Sequence, residues 1–138
     1  MSREIEDGME LLTIPECEHQ LRAGGVGILA LCGVSAPVLR PVNFAVYEGW
    51  IVIRTGEGQI LEAAHGAEPA SFAVSGVDRF EHTGWSVVVT GKLAERSSLG
   101  AISEVPLRPW ARAEKHHLVG LSIEQISGRR IAETAGGE

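Results

Sequence analysis

The stretch Pro37-Val38-Leu39-Arg40-Pro41-Val42-Asn43-Phe44-Ala45-Val46-Tyr47-Glu48-Gly49-Trp50-Ile51-Val52-Ile53-Arg54-Thr55 decides the fold. It holds two runs rich in β-branched and aromatic residues, Pro37 to Tyr47 and Trp50 to Thr55, which suit a pleated surface. Between them Glu48-Gly49 forms a tight turn, because glycine reaches positive φ at no steric cost. The stretch reads as a β-hairpin at the centre of a β-rich domain. On its first strand Val38, Val42, Phe44 and Val46 share one face, and Leu39, Pro41, Ala45 and Tyr47 share the other. A strand with one wet face alternates apolar and polar; this one is apolar on both.

Working outward, the same two-sided pattern recurs. Val26, Ile28 and Ala30 stand opposite Leu29 and Leu31 in a strand from Val26 to Cys32, and Trp85, Val87 and Val89 stand opposite Ser86, Val88 and Thr90 in a strand from Trp85 to Ala94. Further strands are expected at Ala70 to Ser75 and His117 to Ile126, with a polar loop from Gly76 to Gly84. Thr13-Ile14-Pro15-Glu16 has the spacing of a capping box and opens a helix to about Arg22, stopped by Gly24-Gly25. Gln59 to His65 and Ser97 to Glu104 read as two more short helices, and Pro106 to Glu114 as a loop. Three short helices cannot cover both faces of such a sheet. A closed barrel hides one face inside, and a second copy of the chain is the simplest cover for the other. A homodimer is therefore expected.

The 138 residues fit one domain spanning 1–138, with flexible ends at 1–10 and 132–138. A net charge of −6 argues against a general nucleic-acid binder. No apolar run approaches the ~20 residues needed to cross a bilayer, and the first residues lack the apolar core of a signal peptide. A cytoplasmic protein is expected, with Cys17 and Cys32 as reduced thiols. His19, His65, His82 and the pair His116-His117 lack metal-ligand spacing, so no metal is expected. No Ser-His-Asp, Cys-His or paired-carboxylate arrangement stands out, and no catalytic side chain is assigned. If the protein is an enzyme, its reactive group is more readily a cofactor than a side chain.

Five segments could hold a ligand. In Arg54-Thr55-Gly56-Glu57-Gly58-Gln59 a strand ends, a glycine turn follows and a helix begins. Helix N-terminal N–H groups, a hydroxyl and a guanidinium suit a phosphate; an ordinary solvated turn is the plainer alternative. In Arg40-Pro41-Val42-Asn43-Phe44 the proline removes a ladder donor, so the segment is an edge or bulge. Its free backbone groups and the Asn43 amide suit the edge of a planar heterocycle, or the bulge only turns a barrel corner. Trp85 and Trp110 could each wall a flat ligand or simply pack. Arg129-Arg130 could close on a phosphate or remain solvated.

In order, these segments resemble the pyridoxamine 5′-phosphate oxidase-like group of FMN-binding split β-barrels. The resemblance rests on Arg40-Pro41-Val42-Asn43-Phe44, Arg54-Thr55-Gly56-Glu57-Gly58, Thr83-Gly84-Trp85-Ser86-Val87-Val88-Val89-Thr90-Gly91, Arg108-Pro109-Trp110 and Gly128-Arg129-Arg130-Ile131, over about residues 10–131. It implies a mostly β, six-stranded split barrel with a few short helices, a homodimer, and FMN at the dimer interface. By the same resemblance Pro41, Val42 and Asn43 lie along the flavin ring, Arg54, Thr55 and the glycines hold the phosphate, and Trp85 and Ser86 approach from the other subunit. The implied function is a flavin-dependent oxidoreductase acting on a small molecule.

Members of the group carry a lysine after the glycine turn, where this chain has Gln59. A charge-assisted bond to phosphate is worth about 1.5–3 kcal/mol. Either FMN affinity is reduced or another cation substitutes, for which Arg40, Arg54 and Arg129 are the candidates. The missing lysine also motivates the alternative of a related barrel using a deazaflavin or haem. The missing acid–base set motivates another, a flavin-binding or sensing dimer without turnover.

Overall fold

The computed structural model describes residues 5–6, 8–33, 35–96 and 117–131. Its strands, in chain order, are β1 (Ile5–Glu6), β2 (Met9–Leu11), β3 (Gly25–Leu31), β4 (Val38–Tyr47), β5 (Trp50–Thr55), β6 (Pro69–Asp78), β7 (Thr83–Glu95), β8 (His117–Ser122) and β9 (Gln125–Ile131). The helices are α1 (Ile14–Arg22) and α2 (Gln59–His65). The expected helix at 97–104, the loop at 106–114 with Trp110, and the tail at 132–138 lie outside the described residues.

The hairpin forms as read. Glu48 and Gly49 both take positive φ, 48° and 82°, the geometry of a turn whose twist matches its flanking strands. β3 pairs with β4, β4 with β5, β5 with β8, β8 with β7, β7 with β6 and β6 with β3, all antiparallel. That ring is a closed six-stranded barrel. β9 lies outside it on β7, followed by β2 and β1. β7 belongs to both arrangements: residues 84–90 pair with β9 and residues 93–95 with β8. Between them Gly91 lies so close to β8 that an added Cβ would stand 1.7 Å from the Ser122 carbonyl oxygen.

One face of each strand fills the barrel. Leu29, Phe44, Ile51, Ile53, Phe72, Val87, Val89, Leu93, Val119 and Leu121 are buried together there. Phe44 and Phe72 meet edge to face at 4.7 Å between ring centroids. The second apolar face of the hairpin divides. Ala45 and Val52 pack with Leu118, Tyr47 and Trp50 into a separate cluster, with the Arg96 guanidinium 4.7 Å from the centre of the Trp50 ring. Leu39 and Pro41, on the same face, are exposed.

α1 closes one side of the molecule. The Thr13 hydroxyl accepts from the Glu16 N–H at 3.3 Å, and the Glu16 carboxylate accepts from the Thr13 N–H at 2.8 Å. Cys17 and Leu21 turn inward, and Gly128 leaves room for the Cys17 sulfur. Thr13→Ala removes the hydroxyl that accepts from the Glu16 N–H and keeps the backbone N–H that donates to the Glu16 carboxylate; it is expected to cost about 1 kcal/mol, read as a lowered midpoint in chemical denaturation.

Three segments differ from the sequence reading. The single last strand expected from His117 to Ile126 is two, β8 and β9, reversing at Ile123-Glu124. No glycine or proline marks this reversal. It is held by the Ser122 hydroxyl, which accepts from the Lys92 N–H at 2.9 Å and donates to Glu124 at 2.6 Å. The expected loop from Gly76 to Gly84 is mostly strand. Only residues 79–82 turn, with Asp78 Oδ1 accepting from the N–H groups of Phe80 and Glu81 at 3.0 Å each. At the N-terminus β1 and β2 form where no strand was expected, because β2 completes the free edge of β9. Among the described residues no helix is long and apolar enough to cross a membrane.

Candidate functional site

The end of β5 and the start of α2 form one rim of the barrel. Arg40 stands on β4 in the alternation that sends Val42 and Phe44 into the core, but two residues nearer the rim it emerges into solvent. There its Nη2 donates to Gln59 Oε1 at the start of α2, and its Nη1 donates to the Leu39 carbonyl at 3.2 Å. The chain thus brings a guanidinium to the residue that stands where a lysine was expected. Thr55 lies on the same side of β5 as the core residues Ile51 and Ile53, its hydroxyl bonded to the Gly56 carbonyl at 3.3 Å. Gly58 takes φ 146°, a conformation that excludes a side chain at the turn before α2. The helix that follows has seven residues, so side chains rather than a helix dipole must supply most of the positive charge at this rim.

Arg54, next to Thr55, points to the opposite face of the barrel wall, with Val52. That outer face also carries Pro41 and Asn43 on β4. Across it runs an apolar row set by register: Pro41 opposite Ile28, Ile28 opposite Ala73, and Ala73 opposite Val88. Ile28 is 39% exposed, Val88 40% and the neighbouring Leu39 59%. Ser86 and Arg129 are paired on β7 and β9 two residues along from Val88, on the same face.

Two expected site residues lie elsewhere. The Val42 side chain is in the core, so only its backbone is available to a ligand. Trp85 is on the inward side of β7 while Ser86 is on the outward side, so the two do not face one ligand surface of this chain together. Trp85 packs against the core and over Gly76, where an added Cβ would meet the indole nitrogen at 2.5 Å. It walls an open cleft of about 820 Å³ between α1 and the β6–β7 turn, which also touches His19, Asp78 and Arg130. Arg130 is held there by Glu10, through Nη2 at 3.0 Å and Nε at 3.2 Å to one carboxylate oxygen.

A further cluster at the rim has no signal in local spacing. His117 Nδ1 lies 2.8 Å from Glu95 Oε2 and its Nε2 lies 3.2 Å from Glu57 Oε1, while His65 Nε2 lies 2.7 Å from the other oxygen of Glu95. The four residues come from β8, β7, the β5–α2 turn and α2, and no local spacing connects them. The bond to Glu95 raises the His117 pKa above its ordinary 6.5; partial burial opposes the rise and Glu57 adds to it. A histidine raised in this way stabilises the fold fully below its unfolded value, and that contribution is lost as pH rises through the higher folded value. Burial likewise pushes the Cys17 thiol up, which disfavours its thiolate. Among the described residues no three His, Cys, Asp or Glu side chains converge as a metal site.

Comparison with known proteins agrees with this architecture. The chain is similar to an uncharacterised protein of Mycobacterium tuberculosis, 28% identical over 112 residues, which are 76% of this chain and 74% of that one. Among solved structures it is similar to an FAD-binding protein from Mycobacterium smegmatis, with a TM-score of 0.72, 27% identity, and coverage of 87% of this chain and 98% of the other. It shares its fold with an FAD-binding protein from Mesorhizobium loti, at a TM-score of 0.72 and 24% identity over 88% of this chain and 96% of the other. The family description that matches, over residues 13–130, is pyridoxamine 5′-phosphate oxidase. With that match running from the α1 cap to the end of β9, the chain belongs to the pyridoxamine 5′-phosphate oxidase family of split barrels.

Proposed function

We propose that this chain binds a flavin nucleotide, FMN, on the outer face of its barrel and acts as a flavin-dependent oxidoreductase on a small molecule. The observation that carries the reading is the Arg40–Gln59 contact, which sets a permanently charged group where the family resemblance calls for a lysine. The donor set fits the group. Arg40 and Thr55, on the inward alternation at the rim, offer a cation and a hydroxyl for a phosphate, and Arg54 offers a second cation from the outer face. Pro41 and the Asn43 amide border an apolar row that suits a planar ring, and Ser86 and Arg129 add polar groups at its far end. The bound flavin would supply hydride and electron transfer; the protein's part is to hold it, orient it and exclude water. The relative from Mycobacterium smegmatis, which binds FAD, supports FAD as the second reading.

The purified protein should be yellow and release FMN on denaturation, identified by chromatography against FAD. A colourless protein that takes up neither flavin on titration would overturn the reading. Titration with a deazaflavin and with haem tests the two remaining cofactors. Reduction of the bound flavin by a nicotinamide donor and reoxidation by a test acceptor at catalytic rates would separate an oxidoreductase from a binding protein without turnover.

The same face supports a homodimer. Ile28, Leu39, Pro41 and Val88 form an exposed apolar strip of the kind that marks an interface. Val88→Glu places a charge at the β7 end of that strip without touching the core, so it should give a folded monomer with weakened flavin binding. Light scattering coupled to size exclusion reads the mass, and a dimer unchanged by the substitution would move the interface elsewhere.

A further inference from the structure

Glu57 stands in the middle of the turn read above as part of a phosphate grip, between Arg54-Thr55 and Gln59. A carboxylate there opposes an anion. The structure shows where the charge goes: Glu57 Oε1 is turned to His117 Nε2 at 3.2 Å, toward β8. His117 faces a second carboxylate through its other nitrogen, Glu95 at 2.8 Å, and Glu95 is itself held by His65 at 2.7 Å. A neutral imidazole has one N–H and can donate to only one of these carboxylates; an imidazolium donates to both. The Glu57 contact is the longer of the two, and Glu57 is the more exposed partner, so it is the one released when the ring loses a proton. The groups around the ring are Thr55 of β5, Glu57 of the turn, Glu95 of β7 and, through Glu95, His65 of α2.

We propose that His117 is a positioning residue for the cofactor: by holding the Glu57 carboxylate against β8, it keeps that negative charge off the phosphate and leaves Arg40 and Arg54 to act on it. This rests on the reading of the rim as the phosphate grip. Cofactor affinity is then tied to the charge of a histidine that touches no cofactor. The bond to Glu95 raises the His117 pKa above its ordinary 6.5, so the clamp opens at a higher pH than an isolated imidazole would allow.

The test compares FMN with riboflavin, which has the ring and no phosphate, by fluorescence titration of wild type, Glu57→Gln and His117→Gln between pH 7 and 9. A phosphate ester with a second pKa near ~6 stays doubly charged over this range. Wild-type FMN affinity should fall about tenfold across the range, the scale of one partly solvated like-charge interaction, while riboflavin affinity stays level. Glu57→Gln should flatten the FMN profile at its tight end, and His117→Gln should flatten it at its weak end. The His117 ring-proton titration, followed by NMR without flavin, should shift to lower pH in Glu57→Gln. A flat wild-type FMN profile, a full profile surviving in Glu57→Gln, wild-type affinity at pH 7 in His117→Gln, or an unmoved His117 titration would each overturn the proposal while leaving FMN binding in place. Absence of binding by wild type to any flavin at pH 7 would instead overturn the cofactor reading, and this proposal with it.

Discussion

Arg40→Met should weaken FMN binding by about ten- to fortyfold and leave riboflavin binding nearly unchanged. A hydrogen bond to a charged group is worth about 1.5–3 kcal/mol, and about 1.4 kcal/mol is a factor of ten. Because Arg40 is exposed at the rim, the lower half of that range applies. Methionine keeps the length and apolar stem of the side chain, and an exposed substitution of this kind shifts stability within about 0.5 kcal/mol. Lost affinity with an unchanged melting point would therefore assign Arg40 to the phosphate. The reciprocal change, Gln59→Lys, restores the residue the family pattern calls for and should tighten FMN binding in the Arg40→Met background. An Arg40→Met protein that binds FMN like wild type would transfer the role to Arg54 or Arg129.

Gly91→Ala should destabilise the fold by about 3 kcal/mol or more, near the upper end of what overpacking costs. The reason is local and geometric. β7 leaves β9 and joins β8 at this residue, and the two backbones cross so closely that a methyl group would overlap the Ser122 carbonyl. Backbone on both sides leaves no side chain to move aside. Relief would require β8 to shift away from β7, which opens the barrel at the strand carrying His117. A loss of several degrees in the thermal midpoint, accompanied by weakened flavin binding, is the expected pair of results. A variant with wild-type melting would show that the crossing can widen without cost.

The hairpin that opened the sequence reading was legible because every signal in it was local. Strand propensity, a Glu-Gly turn and strict alternation all act within a few residues, and β4, β5, α1 and α2 formed within a residue or two of where they were expected. The reversal at Ile123-Glu124 was not legible, because its fastening comes from Lys92, far away in sequence. The candidate site divides in the same way. Residue types at the rim and on the outer face could be named from their chemistry. That Arg40 reaches Gln59, that Trp85 and Ser86 face opposite ways, and that Val42 is core all depend on which side of the wall each strand presents.

By itself, then, the sequence determined the central hairpin, the helices α1 and α2, the two apolar faces and the set of residues able to meet a phosphate, because propensity, periodicity and charge are properties of short segments. Only the tertiary structure decided how the barrel closes, which of the arginines stands beside Gln59, and that Glu57 is turned to His117 and Glu95. Those are contacts between residues 19 to 60 positions apart. They exist because ring closure brings β4, β5, β7 and β8 to one rim, and no spacing along the chain encodes that meeting.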